Sequence, residues 1–217
     1  MPVCMVVGAG PGVGLAVSRR FAREGFTPVL LARRADNLSS LVATLEGEGH
    51  SPHAYAATAT DEFQLNAALH QIEGDLGGVD VLVYNAAAVR QAAPSQLAPD
   101  DFLADLRAGV VGALVCAQAV LPGMRSRGRG TLLFTGGGYA FEPMASFASL
   151  GVEKAALRNL AFSLFQELAP EGIHAATVTI GGMVGASERF APDAIAEAYW
   201  TLHAQPAGAF EREIVWR

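Results

Sequence analysis

The stretch Val3-Cys4-Met5-Val6-Val7-Gly8-Ala9-Gly10-Pro11-Gly12-Val13-Gly14-Leu15 decides the fold. Val3 to Val7 is a short apolar run of the kind that forms a buried strand. The chain then breaks at Gly8, Gly10, Gly12 and Gly14 and resumes with the helical spacing of Leu15, Ala16, Val17 and Phe21. Strand, glycine turn and helix begin a dinucleotide-binding βαβ unit. Glycines permit a tight turn and let a pyrophosphate approach the backbone, and the helix N-terminus adds free N–H groups and a positive dipole end. The spacing is particular. Counted from Gly8, G-x-G-x-x-G would need glycine at Val13; what fits is G-x-x-x-G-x-G on Gly8, Gly12 and Gly14.

The rest of the chain repeats the rhythm. Val29 to Ala32, His53 to Ala57, Val79 to Tyr84, Thr131 to Thr135, Ile173 to Ile180 and Arg212 to Trp216 read as strands. Helices are expected from Val13 to Glu24, Asp36 or Asn37 to Gly47, and Thr60-Asp61-Glu62 to Glu73, the last with Thr60 or Asp61 as its cap. Further helices are expected from Pro99 to Met124, from Ser149 to Ala169 and after Pro192. Strands alternating with helices predict a single α/β domain over residues 1–217, a doubly wound parallel sheet of Rossmann type. Hydrophobic residues at 51% and charged residues at 17% suit a sheet covered on both faces.

A net charge of −6 gives no footprint for nucleic acid. The densest basic run, Arg125-Ser126-Arg127-Gly128-Arg129, is expected to solvate a helix end. Cys4 and Cys116 fall in apolar runs and read as buried free thiols in a reducing cytoplasm. The N-terminal apolar run is too short for a membrane span. The five histidines, scattered without metal-ligand spacing, are expected at element ends or on the surface, and no metal is expected.

The glycine motif resembles that of the short-chain dehydrogenase/reductase family, and further segments extend the resemblance over nearly the whole chain. Asn85-Ala86-Ala87 resembles the family's Asn-Ala-Gly segment, and Thr60-Asp61 stands where an aspartate contacts the adenine ring. Lys154-Ala155-Ala156-Leu157 is similar to the active-site helix, and Ile180-Gly181-Gly182-Met183-Val184 to the Pro-Gly-x-Val segment near the nicotinamide. The resemblance implies a cofactor site made by Gly8, Gly10, Gly12, Val13, Gly14, Arg33, Arg34, Asp61, Asn85, Ala86, Lys154 and Val184. It also implies a homodimer or homotetramer built on the long central helices.

Cofactor choice follows from charge. Ala32 ends the second strand and Arg33 and Arg34 follow, with no carboxylate to hold ribose hydroxyls. A 2′-phosphate needs a cation, so NADP(H) is expected over NAD(H). The family's chemistry uses a tyrosine four residues before the lysine, a serine about a dozen residues earlier and an asparagine in the preceding long helix. Lys154 keeps the lysine place. Leu150 stands at the tyrosine place, Gly137 or Gly138 at the serine place and Gly109 at the asparagine place. Two expectations survive. One is a reductase of small carbonyl substrates that recruits another acid, with Tyr139 the nearest candidate, or that takes its proton from water. The other is a non-catalytic NADP(H)-binding sensor or interaction protein. Only Gly185 to Ala191 separate Val184 from the last helix, so no substantial lid is expected over the site.

Overall fold

The computed structural model describes residues 1–217. Seven strands form one parallel sheet: β1 (Val3–Val7), β2 (Thr27–Ala32), β3 (His53–Ala56), β4 (Val81–Tyr84), β5 (Gly130–Gly137), β6 (Ile173–Ile180) and β7 (Glu213–Trp216). Their order across the sheet is β3-β2-β1-β4-β5-β6-β7. The chain winds outward from β1 through β2 to β3, then returns to place β4 on the other side. That reversal opens a crevice beyond the C-terminal ends of β1 and β4, the place where open α/β sheets bind ligands.

Alternation along β1 shows how the core divides. Val3, Met5 and Val7 join one apolar cluster and Cys4 and Val6 the other, because successive side chains in a strand point to opposite faces. The first face is covered by α3 (Glu62–Leu76), α5 (Gly112–Arg127) and α6 (Ala148–Leu168). The second is covered by α1 (Val13–Arg23), α2 (Ala35–Gly47) and α7 (Pro192–His203). Both cysteines are buried and free.

The long helix expected after Pro99 is interrupted. It runs as α4 (Pro99–Leu106), one wide π-helical turn at Arg107–Val111, and then α5. By length and hydropathy this run could cross a membrane, yet Ala113, Cys116, Val120 and Met124 pack into the core. The basic run is also more than a solvated helix end. Arg125 pairs with Glu167 and Glu171, and Arg127 donates to the Val79 carbonyl at 2.7 Å. His174, the second residue of β6, stands at an element end as expected, but it is buried there and stacks on Phe210.

Candidate functional site

The glycine turn takes its shape from two close approaches. Gly8 has φ +78°, and a Cβ there would overlap the backbone of Ala86. β1 and the segment after β4 therefore meet with no side chain between them. Gly14 lies against Ala9, where a Cβ would stand 3.1 Å from Ala9 Cα. Gly10 and Gly12 differ: a Cβ at either would meet nothing within 4 Å. Their backbone faces open space at the start of α1, and no side chain caps that helix. Free N–H groups and the dipole end of α1 suit a pyrophosphate there. Val13 is buried and anchors the first helical turn.

Beside this turn lies a cleft of about 760 Å³ lined by Gly8, Ala9, Arg33, Arg34, Asn37, Ala57 to Thr60, Asn85 to Arg90 and Asp105, among others. Gly8, Arg33, Arg34, Asn85 and Ala86 are thus brought together as the sequence led one to expect. Arg33 and Arg34 are exposed and sit between β2 and α2. Asp61 takes the helix-capping place open to it or Thr60. Its carboxylate accepts from Gln64 N at 3.0 Å and caps α3, and it lines a separate hollow with Phe63 and Gln64. The residues from Ala57 to Thr60 face the main cleft in its place. Capping is what a short acidic side chain just before a helix does.

Asn85 ties the cleft to the interior. Its Nδ2 donates to Gly8 O at 2.9 Å, and its Oδ1 accepts from Thr135 Oγ1 at 2.9 Å. Thr135 Oγ1 also bonds Tyr199 OH on α7 at 2.7 Å. Lys154, only 7% exposed, donates from Nζ to Thr135 O at 3.0 Å. One chain of hydrogen bonds thus runs from the glycine turn to the lysine, and a network satisfied at each member holds its geometry. Burial pulls the Lys154 ammonium below the usual lysine range, opposed by the neighbouring Glu153 carboxylate.

Around Lys154 the other expected positions carry no acid. Leu150 is half-buried, and Gly137 directs its missing Cβ toward the Lys154 stem, 3.3 Å from Cγ. Gly138 directs its own toward Gly181 Cα at 3.2 Å. A serine at position 137 would therefore face the lysine, and one at 138 would not. Tyr139 stacks on Phe147 with ring centroids 5.9 Å apart, and its hydroxyl reaches Met144 Sδ at 3.6 Å. It does not line the cleft. Val184 stands exposed in the loop after β6, beyond Gly181, whose N–H donates to Trp216 O at 2.8 Å. A proline at 181 would lose that bond. The short loop that follows is pinned to β7, with Trp216 Nε1 donating to Arg189 O at 2.9 Å.

Three features escape a reading of the sequence. Arg90 and Asp105 form a bidentate pair at 2.9 and 3.2 Å on the cleft wall. Burial tends to raise the Asp105 carboxyl, but its polar neighbours, Arg90 first and Ser149 with it, together hold the group low. Tyr84, buried in β4, donates to the Ala108 carbonyl inside the wide turn. Gly112 is needed there, because a Cβ would overlap Tyr84 OH. Glu153 is fully buried. Its signal was the spacing Glu153, Leu157, Ala161 and Leu164, which puts it on the apolar stripe of α6.

The short chain dehydrogenase family model matches residues 2–192. The chain belongs to the short-chain dehydrogenase/reductase family. Dehydrogenase/reductase SDR family member 4 of Sus scrofa is 34% identical over 176 residues, covering 79% of this chain and 62% of that protein. An oxidoreductase of Mycobacterium tuberculosis is 28% identical over 223 residues, covering 99% of this chain and 64% of its own. The chain thus spans less than two thirds of the length of these curated relatives. Among solved structures, a short-chain dehydrogenase from Rhodopseudomonas palustris superposes with a TM-score of 0.89 at 28% identity, covering 100% of this chain and 98% of the other. A metagenomic short-chain oxidoreductase in complex with NADP gives a TM-score of 0.91 at 24% identity, covering 99% and 96%. At that identity the second likeness speaks for the fold.

Proposed function

We propose that this chain binds NADP(H) in preference to NAD(H) and transfers hydride between NADPH and a small carbonyl compound, with a proton-transfer site reduced to Lys154. The observation that carries the reading is the chain of hydrogen bonds from Gly8 through Asn85 and Thr135 to Lys154, which joins the glycine turn to one buried cation. The bare backbone at Gly10 and Gly12 suits the pyrophosphate. Arg33 and Arg34, exposed and without a carboxylate partner, suit a 2′-phosphate. The NADP bound to the metagenomic relative of like fold points the same way.

The cofactor supplies the hydride. Lys154 would hold the nicotinamide ribose, and the Gly8–Ala86 contact would fix the turn beneath the pyrophosphate. What the site lacks is a group for the carbonyl oxygen as its negative charge grows. Leu150 has no proton, and neither Gly137 nor Gly138 has a hydroxyl. Charge developing in a transition state without aimed donors is the costliest omission in such chemistry. The same observation favours a second reading on the same cofactor site, a catalytically inactive NADP(H) sensor or interaction protein.

One experiment separates the two. Leu150→Tyr combined with Gly137→Ser, with Gly138→Ser in parallel, is followed by nicotinamide absorbance against a panel of aldehydes, ketones and quinones. For a reductase short of its acid, turnover should rise by about 10²–10⁴ with NADPH binding unchanged, since a positioned proton donor is worth that much. Brisk reduction by the unaltered protein, abolished by Tyr139→Phe, would overturn the reading of a reduced site.

A further inference from the structure

Glu153 is 0% exposed, and its side chain is threaded through space that exists because residue 109 is glycine. A Cβ on Gly109 would overlap Cγ, Cδ and Oε1 of Glu153. The carboxylate lies between two parts of the cofactor site. Oε2 accepts from Ala88 N at 3.1 Å, and Ala88 lines the cleft floor. Oε1 accepts no hydrogen bond and lies 3.4 Å from Lys154 Nζ. We propose that Glu153 is a positioning residue of this site, a buried carboxylate that holds Lys154 cationic and the Ala88 segment in place from the seat left by Gly109.

A buried carboxylate is kept only at a cost in desolvation unless a partner offsets it. A neutral Leu or Met would fill the same volume on the apolar stripe of α6. What Glu153 adds is charge directed at the lysine. The groups that face it are few. From α6 it meets Lys154, and from α4 Asp105, whose charge opposes its own but is itself paired with Arg90. From β4 it meets the buried hydroxyl of Tyr84. Burial raises the Glu153 carboxyl, and Lys154 and the Ala88 N–H pull it back. For Lys154 the signs reverse: burial lowers the ammonium and Glu153 sustains it. With the carboxylate removed, burial alone remains.

Lys154 is the only lysine in the chain. Protein labelled with ¹³C at lysine Cε therefore gives one signal whose titration reports this site alone, with no cofactor present. In Glu153→Gln, which keeps the shape and an acceptor oxygen but not the charge, the lysine midpoint should fall by at least about one pH unit. A smaller fall, or a rise, would overturn the proposal. Gly109→Asn with Glu153→Ala refills the same volume with a neutral polar group and should show the same fall, so the test stands even if Glu153→Gln does not fold. The unaltered protein gives a reading that needs no variant. At 3.4 Å, protonation of Glu153 in acid must move the lysine signal, and a flat response would overturn the proposal as well.

The consequence for ligand binding rests on the cofactor reading above. NADPH affinity of Glu153→Gln should weaken at lower pH than that of the unaltered protein as pH rises, because its lysine loses its proton earlier. Should NADPH fail to bind the unaltered protein, the cofactor reading falls, and the lysine titration alone decides the role of Glu153.

Discussion

The glycine end of the site, at Gly8, and the lysine end, at Lys154 and Gly137, are built on opposite plans. At Gly8 the backbone itself is the structural part: φ is +78°, Ala86 is packed against the bare Cα, and any side chain would overlap it. At Gly137 the backbone is ordinary extended strand, φ −152° and ψ 151°, and a Cβ would press only on the flexible stem of Lys154. The first glycine is required by the fold. The second is a place where a side chain fits and none is present. A side chain added at Gly137 would therefore cost the fold little, whereas one added at Gly8 would disrupt it.

The largest effect that tests this contrast is Gly8→Ala. Forcing an L-residue to positive φ costs about 1–2 kcal/mol, and overpacking against Ala86 adds about 1–3 kcal/mol. A loss of about 3 kcal/mol or more in urea unfolding is expected, with NADPH binding lost in parallel. A stability change under about 1 kcal/mol would show that the β1–β4 approach is yielding and that the two ends do not differ.

Arg33→Ala probes the same end by ligand discrimination. NADPH should bind about tenfold more weakly, roughly 1.4 kcal/mol, because one charge-assisted contact to a 2′-phosphate is lost. NADH affinity and thermal stability should stay as they were, since Arg33 is exposed. Equal affinity for the two cofactors in the unaltered protein would remove Arg33 from the reading.

The same contrast explains what the sequence made legible. Glycine turns and strand–helix alternation are set by local backbone constraints, so the doubly wound sheet, the element order and the residues that gather at Gly8 and Asn85 could all be read in advance. Glu153 is harder to read: its spacing with Leu157, Ala161 and Leu164 sets it on an apolar stripe, but the seat for its carboxylate forms only when α6 docks against the wide turn at Gly109. Asp61 belongs with the legible part, since a short acidic side chain just before a helix reads as its cap and Gln64 N donates to it. His174 and the Arg125 pairs depend on neighbours 37 to 46 residues away, which no local pattern encodes.

The smallest effect is expected at the lysine end and is the most discriminating. Gly137→Ala places a methyl 3.3, 3.6 and 3.8 Å from Cγ, Cδ and Cε of Lys154. The backbone there already has dihedrals that any residue adopts, so alanine brings no conformational penalty and reduces the entropy of the unfolded chain, a gain of about 0.4–1 kcal/mol. Against this, the lysine stem must yield by a few tenths of an ångström while Nζ keeps its bond to Thr135 O. The two terms nearly cancel. The expected outcome is a change within about 1 kcal/mol, a shift of about 2–4 °C or less in Tm for a chain of this length, with NADPH affinity unchanged. A fall of about 3 kcal/mol, matching Gly8→Ala, would mean that the stem of Lys154 is clamped and that this glycine too is demanded by the fold. In that case Gly137→Ser could not restore a hydroxyl without disturbing the lysine, and the depleted site would be a packing requirement of this chain and not a simple loss of groups.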